Sequence, residues 1–208
     1  MLSLTINVTL ADNFSPAKPL HSAPIIEDKK LSRIAFGSCF DQRGQDDIFR
    51  VIREASPDIV LLLGDNIYPD SEAYDPTLES LREAYWQLAN AREFTKLREQ
   101  KPVISIWDDH DYGLDDAGGD WALKKDSERL FEHVWVPAND VRRTRDGIYF
   151  SIKIGPEGNK VQLIFLDTRF FRSPLLSAEG NTSNKYQQDY SKQKTMLGQA
   201  QWSWLQAT

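Results

Sequence analysis

Cysteine and histidine are scarce in this sequence, and basic residues are fewer than acidic ones. The 208 residues include one cysteine, Cys39, three histidines, 25 basic residues and 31 acidic residues. A single cysteine excludes an intramolecular disulfide, so the place of this thiol needs another explanation. No cluster of Lys and Arg is dense enough to bind a phosphate backbone, and the sequence therefore predicts no nucleic-acid-binding surface.

Long hydrophobic runs are also missing. The longest ones, such as 59–63, fall far short of the roughly 20 residues that a membrane-spanning helix needs, so no transmembrane segment is expected. Residues 1–30 begin with a moderately apolar stretch and then combine Pro16, Pro19 and Pro24 with polar residues. We interpret 1–30 as a leader or N-terminal arm with a possible signal segment, and 31–208 as one domain.

Short apolar runs alternate with helical patterns along the predicted domain. The runs are Ile34–Phe36, Ile59–Leu63, Val103–Ile106 and Val161–Leu166. Alternation of this kind predicts an α/β fold, layered as a sandwich, with mostly parallel strands and flanking helices. The runs 148–154 and 161–166 flank a turn at 155–159, which predicts a β-hairpin.

Two helices between these runs have an apolar stripe. Ile48, Val51, Ile52 and Ala55 recur at helical spacing behind two acidic residues that suit a helix N-terminus. Leu78, Leu81, Tyr85 and Leu88 form a second stripe, in a pattern that Pro102 ends. We expect both stripes to face the core.

Each of the four apolar runs ends in a polar cluster. The clusters are Gly37-Ser38-Cys39, Gly64-Asp65-Asn66-Ile67-Tyr68, Trp107-Asp108-Asp109-His110-Asp111-Tyr112 and Asp167-Thr168-Arg169. Ligands in open α/β sheets bind beyond the carboxyl ends of the strands, so parallel strands would bring the clusters to one edge. A thiol, carboxylates, a phenol, an imidazole and a guanidinium together suit metal cations and an anionic substrate.

The motifs GSC, GDNIY, WDDHDYG and DTR, in this order, resemble the alkaline phosphatase D (PhoD-like) family of the calcineurin-like metallophosphoesterases. The late run LGQAQWSWL resembles the helix that follows DTR in that family. The resemblance implies a phosphoric ester hydrolase acting on a phosphomonoester, phosphodiester or phospholipid through a metal-activated water. It also implies a secreted or periplasmic protein, although the sequence itself leaves a cytoplasmic location open.

Residue roles follow from laying these motifs over the superfamily pattern. The resemblance implies metal ligation by Cys39, Asp65, Tyr68 and Asp109, with His110 as the catalytic histidine. A thiolate and a phenolate favour Fe³⁺, and the oxygen-rich position suits Ca²⁺ first, with Mn²⁺ or Zn²⁺ as other choices. Arg169 is the candidate for a bidentate phosphate contact, because its guanidinium matches two phosphoryl oxygens.

The superfamily pattern has further histidine ligands downstream, and this sequence has none. Its other histidines are His21, in the arm, and His133, in a helical pattern. A C-terminally truncated chain is the simplest explanation, and a degenerate, inactive metal-binding homologue is the second. A cysteine hydrolase, with Cys39 as nucleophile and His110 as base, is a third hypothesis.

Each candidate also has a structural interpretation when taken alone. Cys39 can be a small buried hydrophobe, Asp65 a strand-to-helix cap, and Tyr68 a packed aromatic ring. Arg169 can form a structural ion pair with Asp167. Asp108, Asp111 and Tyr112 are expected to orient the ligands, and can also be ligands themselves.

Overall fold

The computed structural model describes residues 17–70, 75–180 and 184–208. Within these ranges the chain forms seven strands and six α-helices, and a 3₁₀ turn at Val141–Thr144. The strands are β1 Ile34–Gly37, β2 Ile59–Leu63, β3 Val103–Ile106, β4 Phe150–Ile154, β5 Val161–Phe165, β6 Leu176–Ser177 and β7 Tyr186–Gln187. The helices are α1 Asp47–Glu54, α2 Glu79–Asn90, α3 Arg92–Gln100, α4 Asp109–Tyr112, α5 Lys124–Trp135 and α6 Gly198–Ala207.

A parallel three-stranded sheet, in the order β1-β2-β3, positions the candidate site. Ile34 lies opposite Ile59 on β2, and Val60 lies opposite Val103 on β3. The central strand is apolar throughout, as expected when both faces of a parallel sheet are covered. All three strands end at the same edge, so the predicted α/β fold with parallel strands and flanking helices is confirmed.

The fourth apolar run lies outside the parallel sheet. β5 pairs antiparallel with β4, and the rings of Phe150 and Phe165 stack with centroids 4.5 Å apart. The predicted hairpin is therefore confirmed, whereas placing 161–166 beside the parallel strands was wrong. A parallel crossover needs about a dozen residues, and the turn between β4 and β5 is shorter, so these two strands pair antiparallel.

The second helical pattern places its apolar stripe in the core. Leu78, Leu81, Tyr85 and Leu88 are all buried, as predicted. The pattern before Pro102 forms two helices, because Ala91 takes an extended conformation with ψ 125° between α2 and α3. The break lets α3 turn and pack against α1.

The first helix has a different buried face from the one predicted. Phe49 is 2% exposed, whereas Ile48 and Val51 are each 51% exposed. The ring of Phe49 packs between those of Phe40 and Phe94. Burial of this aromatic ring, which carries more apolar area, outweighs the aliphatic stripe.

Residues 17–30 run without regular structure along the sheet and its helices. Leu20 N–H donates to Val134 O and Ala23 N–H to Arg98 O, both at 2.7 Å. The possible signal segment before residue 17 lies outside the described residues. No helix in the described ranges is long and apolar enough to cross a membrane.

Candidate metal centre

The loops that leave β1 and β2 are joined by backbone hydrogen bonds. Cys39 N–H donates to Gly64 O at 3.2 Å, and Phe40 N–H donates to Asp65 O at 2.8 Å. These bonds place the Cys39 Sγ 3.6 Å from Asp65 Oδ2. Because Cys39 is exposed, its interpretation as a small buried hydrophobe was wrong.

Cys39 and Asp65 both have a left-handed backbone. Their φ angles are 58° and 50°, a region that residues other than glycine seldom occupy. Strain of this kind persists only where the surroundings enforce it, and it is concentrated at functional sites. Both strained residues are candidate ligands.

Tyr68 faces the same carboxylate oxygen as Cys39. Its hydroxyl donates to Asp65 Oδ2 at 3.3 Å. Gln42 holds the Tyr68 backbone from both sides, accepting from Tyr68 N–H at 2.7 Å and donating to Tyr68 O at 2.8 Å. The sequence does not mark Gln42, since it belongs to no strand-end motif.

The loops that follow β2 and β3 approach each other closely at Gly64. This glycine has φ +102°, and an added Cβ would lie 2.6 Å from Asp108 Cβ. Asp111 joins the same two loops through its carboxylate, which accepts from Asn66 N–H at 3.0 Å and from Asp108 N–H at 3.1 Å. Asp111 and Tyr112 are fully buried, which favours the orienting role over direct ligation.

Asp109 and His110 lie beside Asp65 at this edge. One ligand atom from each of the three residues lies within 4.8 Å of the others, a spacing that can hold a metal ion. His110 N–H donates to Asp65 Oδ1 at 3.4 Å, and the His110 ring lies 4.3 Å from the Tyr68 ring. The structure therefore brings together Asp65, Asp109 and His110 on one side and Cys39 and Tyr68 on the other.

The charges at this edge fit a cation. Burial, and next the charge of Asp109, raises the pKa of the Asp65 carboxyl. Burial and the charge of Asp65 also raise the pKa of the Tyr68 phenol. For Asp109 burial acts in the same direction, but the Asp116 N–H and Arg169 outweigh it and lower the pKa. Carboxylates this close repel one another, and a bound cation relieves that repulsion.

Arg169 reaches the same edge from the turn after β5. Its Nε donates to Asp108 Oδ1 at 2.6 Å, and its Nη2 lies 3.7 Å from Asp109 Oδ2. Asp167 accepts from the Arg169 backbone N–H at 2.9 Å, so the guanidinium pairs with Asp108 instead of Asp167. The buried Arg169 Nη1 has no hydrogen-bond partner among the described residues.

A second acidic group lies next to the first. Asp109, Asp115 and Asp116 also have ligand atoms within 4.8 Å of one another. The Lys185 ammonium pairs with Asp115 at 2.7 Å and with Asp116 at 2.6 Å. This lysine already supplies the positive charge there. The sequence did not single out Asp115 and Asp116, because they belong to none of the strand-end motifs. Their partner Lys185 is far along the chain.

The other two histidines lie elsewhere. His133 belongs to α5, and its Nε2 is 3.3 Å from Ala17 O, in agreement with a structural role. The exposed His21 lies in the arm, where its carbonyl accepts from Arg98 Nη1 at 2.7 Å. Neither belongs to a candidate metal group in the described part of the chain.

Carboxylates and a histidine lie at the carboxyl ends of a parallel α/β sheet, which is where folds of this class bind ligands. Residues 34–208 match the family described as "PhoD-like phosphatase", and the chain belongs to this family. No curated protein sequence matches it significantly.

The fold is also similar to one solved structure, titled "Structure of PhoD". The TM-score is 0.65 at 20% sequence identity, and the match covers 88% of this chain. The chain spans 40% of the length of that solved protein. At this level of identity the likeness shows the fold alone.

Proposed function

We propose that this chain carries part of a site that hydrolyses phosphate esters with a metal-activated water. The proposed metal ligands are Cys39, Asp65, Tyr68 and Asp109. Fe³⁺ is the proposed ion beside the thiol and phenol. A divalent ion is proposed beside the carboxylates, with Ca²⁺ preferred over Mn²⁺ or Zn²⁺. When bound, such ions supply an activated water and neutralise charge on the phosphoryl group.

One observation carries this proposal, namely that the two oxygens of Asp65 face different partners. Oδ2 lies 3.6 Å from Cys39 Sγ and 3.3 Å from the Tyr68 hydroxyl. Oδ1 accepts from the His110 N–H at 3.4 Å. Asp65 also has a ligand atom within 4.8 Å of atoms from Asp109 and His110, so it would belong to the ligand sets on both sides of the site.

The remaining groups act on the substrate. His110 is partly exposed beside Asp65 and Asp109, where its imidazole can protonate a leaving oxygen. Arg169 is held by Asp108 beside Asp109, where its guanidinium can contact a phosphoryl oxygen. The substrate class is a phosphomonoester, a phosphodiester or a phospholipid.

Metal content and turnover test this function. Bound iron, calcium, manganese and zinc are measured in the wild type, in Asp65→Asn and in Asp126→Asn, a control carboxylate exposed on α5. Hydrolysis of one phosphomonoester and one phosphodiester is assayed with and without a chelator. We expect Asp65→Asn to lose at least about 10-fold in metal affinity and in turnover, and the control to lose neither.

Two other functions predict different results. A metal-binding homologue without activity would bind metal through Asp65 and show no turnover. A cysteine hydrolase would be insensitive to chelator and would lose activity in Cys39→Ser.

A further inference from the structure

Asp167 is a fully buried carboxylate that holds three chain segments together. Its Oδ1 accepts from Trp107 Nε1, from Arg169 N–H and from Phe170 N–H, each at 2.9 Å. Its Oδ2 accepts from Ile148 N–H at 3.0 Å. These donors belong to the end of β3, the entry to β4 and the turn after β5. Asp167 therefore fixes the Arg169 backbone relative to the loop that carries Asp108.

Gln201 holds the backbone of Asp167 from the opposite side. Its Oε1 accepts from Asp167 N–H at 2.8 Å, and its Nε2 donates to Asp167 O at 2.7 Å. Nε2 also lies 3.2 Å from Leu197 O, the residue before α6. Gln201 is fully buried, so water cannot replace these bonds.

The Gln201 side chain can bond both the N–H and the C=O of Asp167, because an amide carries an acceptor and a donor. A carboxylate lacks the donor, and an apolar chain lacks both. Gln199, two residues earlier on the same helix, is exposed, and its Nε2 bonds Ser203 Oγ at 3.1 Å. The two glutamines therefore differ in environment and share a helix.

We infer that Gln201 is a positioning residue for anion binding at the proposed site. It fixes the Asp167 turn, and the turn sets where the Arg169 guanidinium lies beside Asp108 and Asp109. Helix α6 thereby controls phosphate affinity through Arg169, although Gln201 itself bonds none of the candidate ligands. This inference rests on the proposed function, in which the Arg169 guanidinium binds a phosphoryl oxygen.

The first test measures inorganic phosphate affinity of the metal-loaded full chain by calorimetry. Gln201→Met keeps the length of the side chain and removes its hydrogen bonds with Asp167 N–H, Asp167 O and Leu197 O, and Gln199→Met is the matched control. We expect Gln201→Met to weaken phosphate binding about 10-fold at a temperature far below its Tm, and the control to change it less than about 2-fold. Unchanged phosphate affinity in a folded Gln201→Met variant would refute the positioning role.

A double-mutant cycle separates positioning from general destabilisation. If Gln201 acts through Arg169, Gln201→Met in an Arg169→Ala background, where the guanidinium cation is absent, should weaken phosphate binding no further. Additive losses would instead mean that Gln201 acts on the site by another route. The Arg169 Nε–H signal in a ¹H–¹⁵N spectrum gives a readout without phosphate, and it should move in Gln201→Met but not in Gln199→Met.

The wild type supplies a second measurement if Gln201→Met does not fold. Coupling between two sites is reciprocal, so saturating phosphate should slow hydrogen exchange of the Asp167 amide that donates to Gln201. Unchanged exchange with phosphate bound would contradict the inference. If the wild type binds no phosphate, the proposed function fails. The positioning role can still be tested without phosphate, by comparing the Arg169 Nε–H signal of the wild type with that of any Gln201 variant that folds, such as Gln201→Glu.

Discussion

The carboxylate of Asp111 accepts from both the backbone N–H and the side-chain amide of Asn66, each at 3.0 Å. Both residues are buried, and the bonds join the loop after β2 to the loop after β3. Burial raises the pKa of Asp111 to about 8, although the bonds from Asp108 and Asn66 oppose this. These two residues tie together the loops that carry Asp65 and Asp109.

Removing the Asn66 side chain should therefore destabilise the fold. Asn66 Nδ2 also donates to Ser105 Oγ at 3.0 Å and Ile106 O at 2.9 Å, so Asn66→Ala leaves buried acceptors without partners. We expect the free energy of unfolding in urea to fall by about 1–3 kcal/mol. The exposed Asn90, at the end of α2, supplies the control, and Asn90→Ala should change it by less than about 0.5 kcal/mol.

Gly64 should tolerate no side chain. An alanine there would strain a backbone with φ +102° and press its Cβ against Asp108 Cβ and N, at 2.6 and 2.7 Å. We expect Gly64→Ala to cost more than about 2 kcal/mol of stability and to weaken metal binding. Gly158→Ala has φ +77° with open space, so it should cost only about 1 kcal/mol and leave metal binding intact. Equal costs would contradict the close approach.

The buried face of α1 is a second point that mutation can decide. Phe49→Ala removes a ring packed against Phe40 and Phe94, and should lower the free energy of unfolding by about 3–5 kcal/mol. Val51→Ala, on the exposed side of the same helix, should change it by less than about 0.5 kcal/mol. A larger loss of stability from Val51→Ala than from Phe49→Ala would mean that the aliphatic stripe expected from the sequence is the buried face of α1.

Glu132 makes stability depend on pH. Burial, with the charge of Glu128 adding to it, raises the pKa of Glu132 from 4.5 to about 7, while Arg143, Lys125 and Arg142 oppose the shift. The unfolded chain releases this proton at lower pH than the folded one. The contribution of Glu132 to stability is therefore full below about pH 4.5 and falls as pH rises towards 7.

Glu132→Gln should remove the share of the dependence that Glu132 contributes, while Asp111, with a pKa raised to about 8, keeps its own share. We expect the loss of stability between pH 4.5 and about 7 to be smaller in the variant than in the wild type by on the order of 2 kcal/mol. Glu128 is also buried with a raised pKa, so some slope should remain. Urea unfolding across this range measures it, and Glu157→Gln, exposed in the hairpin turn, should retain the full slope.

The sequence predicted the elements whose signal is local. β2 and β3 have the predicted bounds, because continuous apolar runs bordered by turn residues define buried strands. The prediction that the apolar stripe of the second helical pattern faces the core was also correct, since each of its members is a large apolar side chain. On α1 the spacing of Ile48 and Val51 fitted a helix equally well, but tertiary contacts with Phe94 decided which face is buried.

The sequence predicted which side chains lie at the candidate site, but not which residues hold them in place. The structure places five of the predicted residues at one sheet edge, as expected from their positions after strands, namely Cys39, Asp65, Tyr68, Asp109 and His110. Gln42 and Gln201 carry no motif, and their contacts join segments far apart in the chain. Only folding reveals such partners.

Cys39 and Asp65 hold left-handed backbones that glycine would adopt freely. Two selections applied to one library of variants should therefore diverge at these positions. Selection for thermal stability alone should enrich glycine at 39 and 65, and selection for metal retention should keep the thiol and the carboxylate. The sites where the two populations separate would map the residues at which this fold gives up stability for its chemistry.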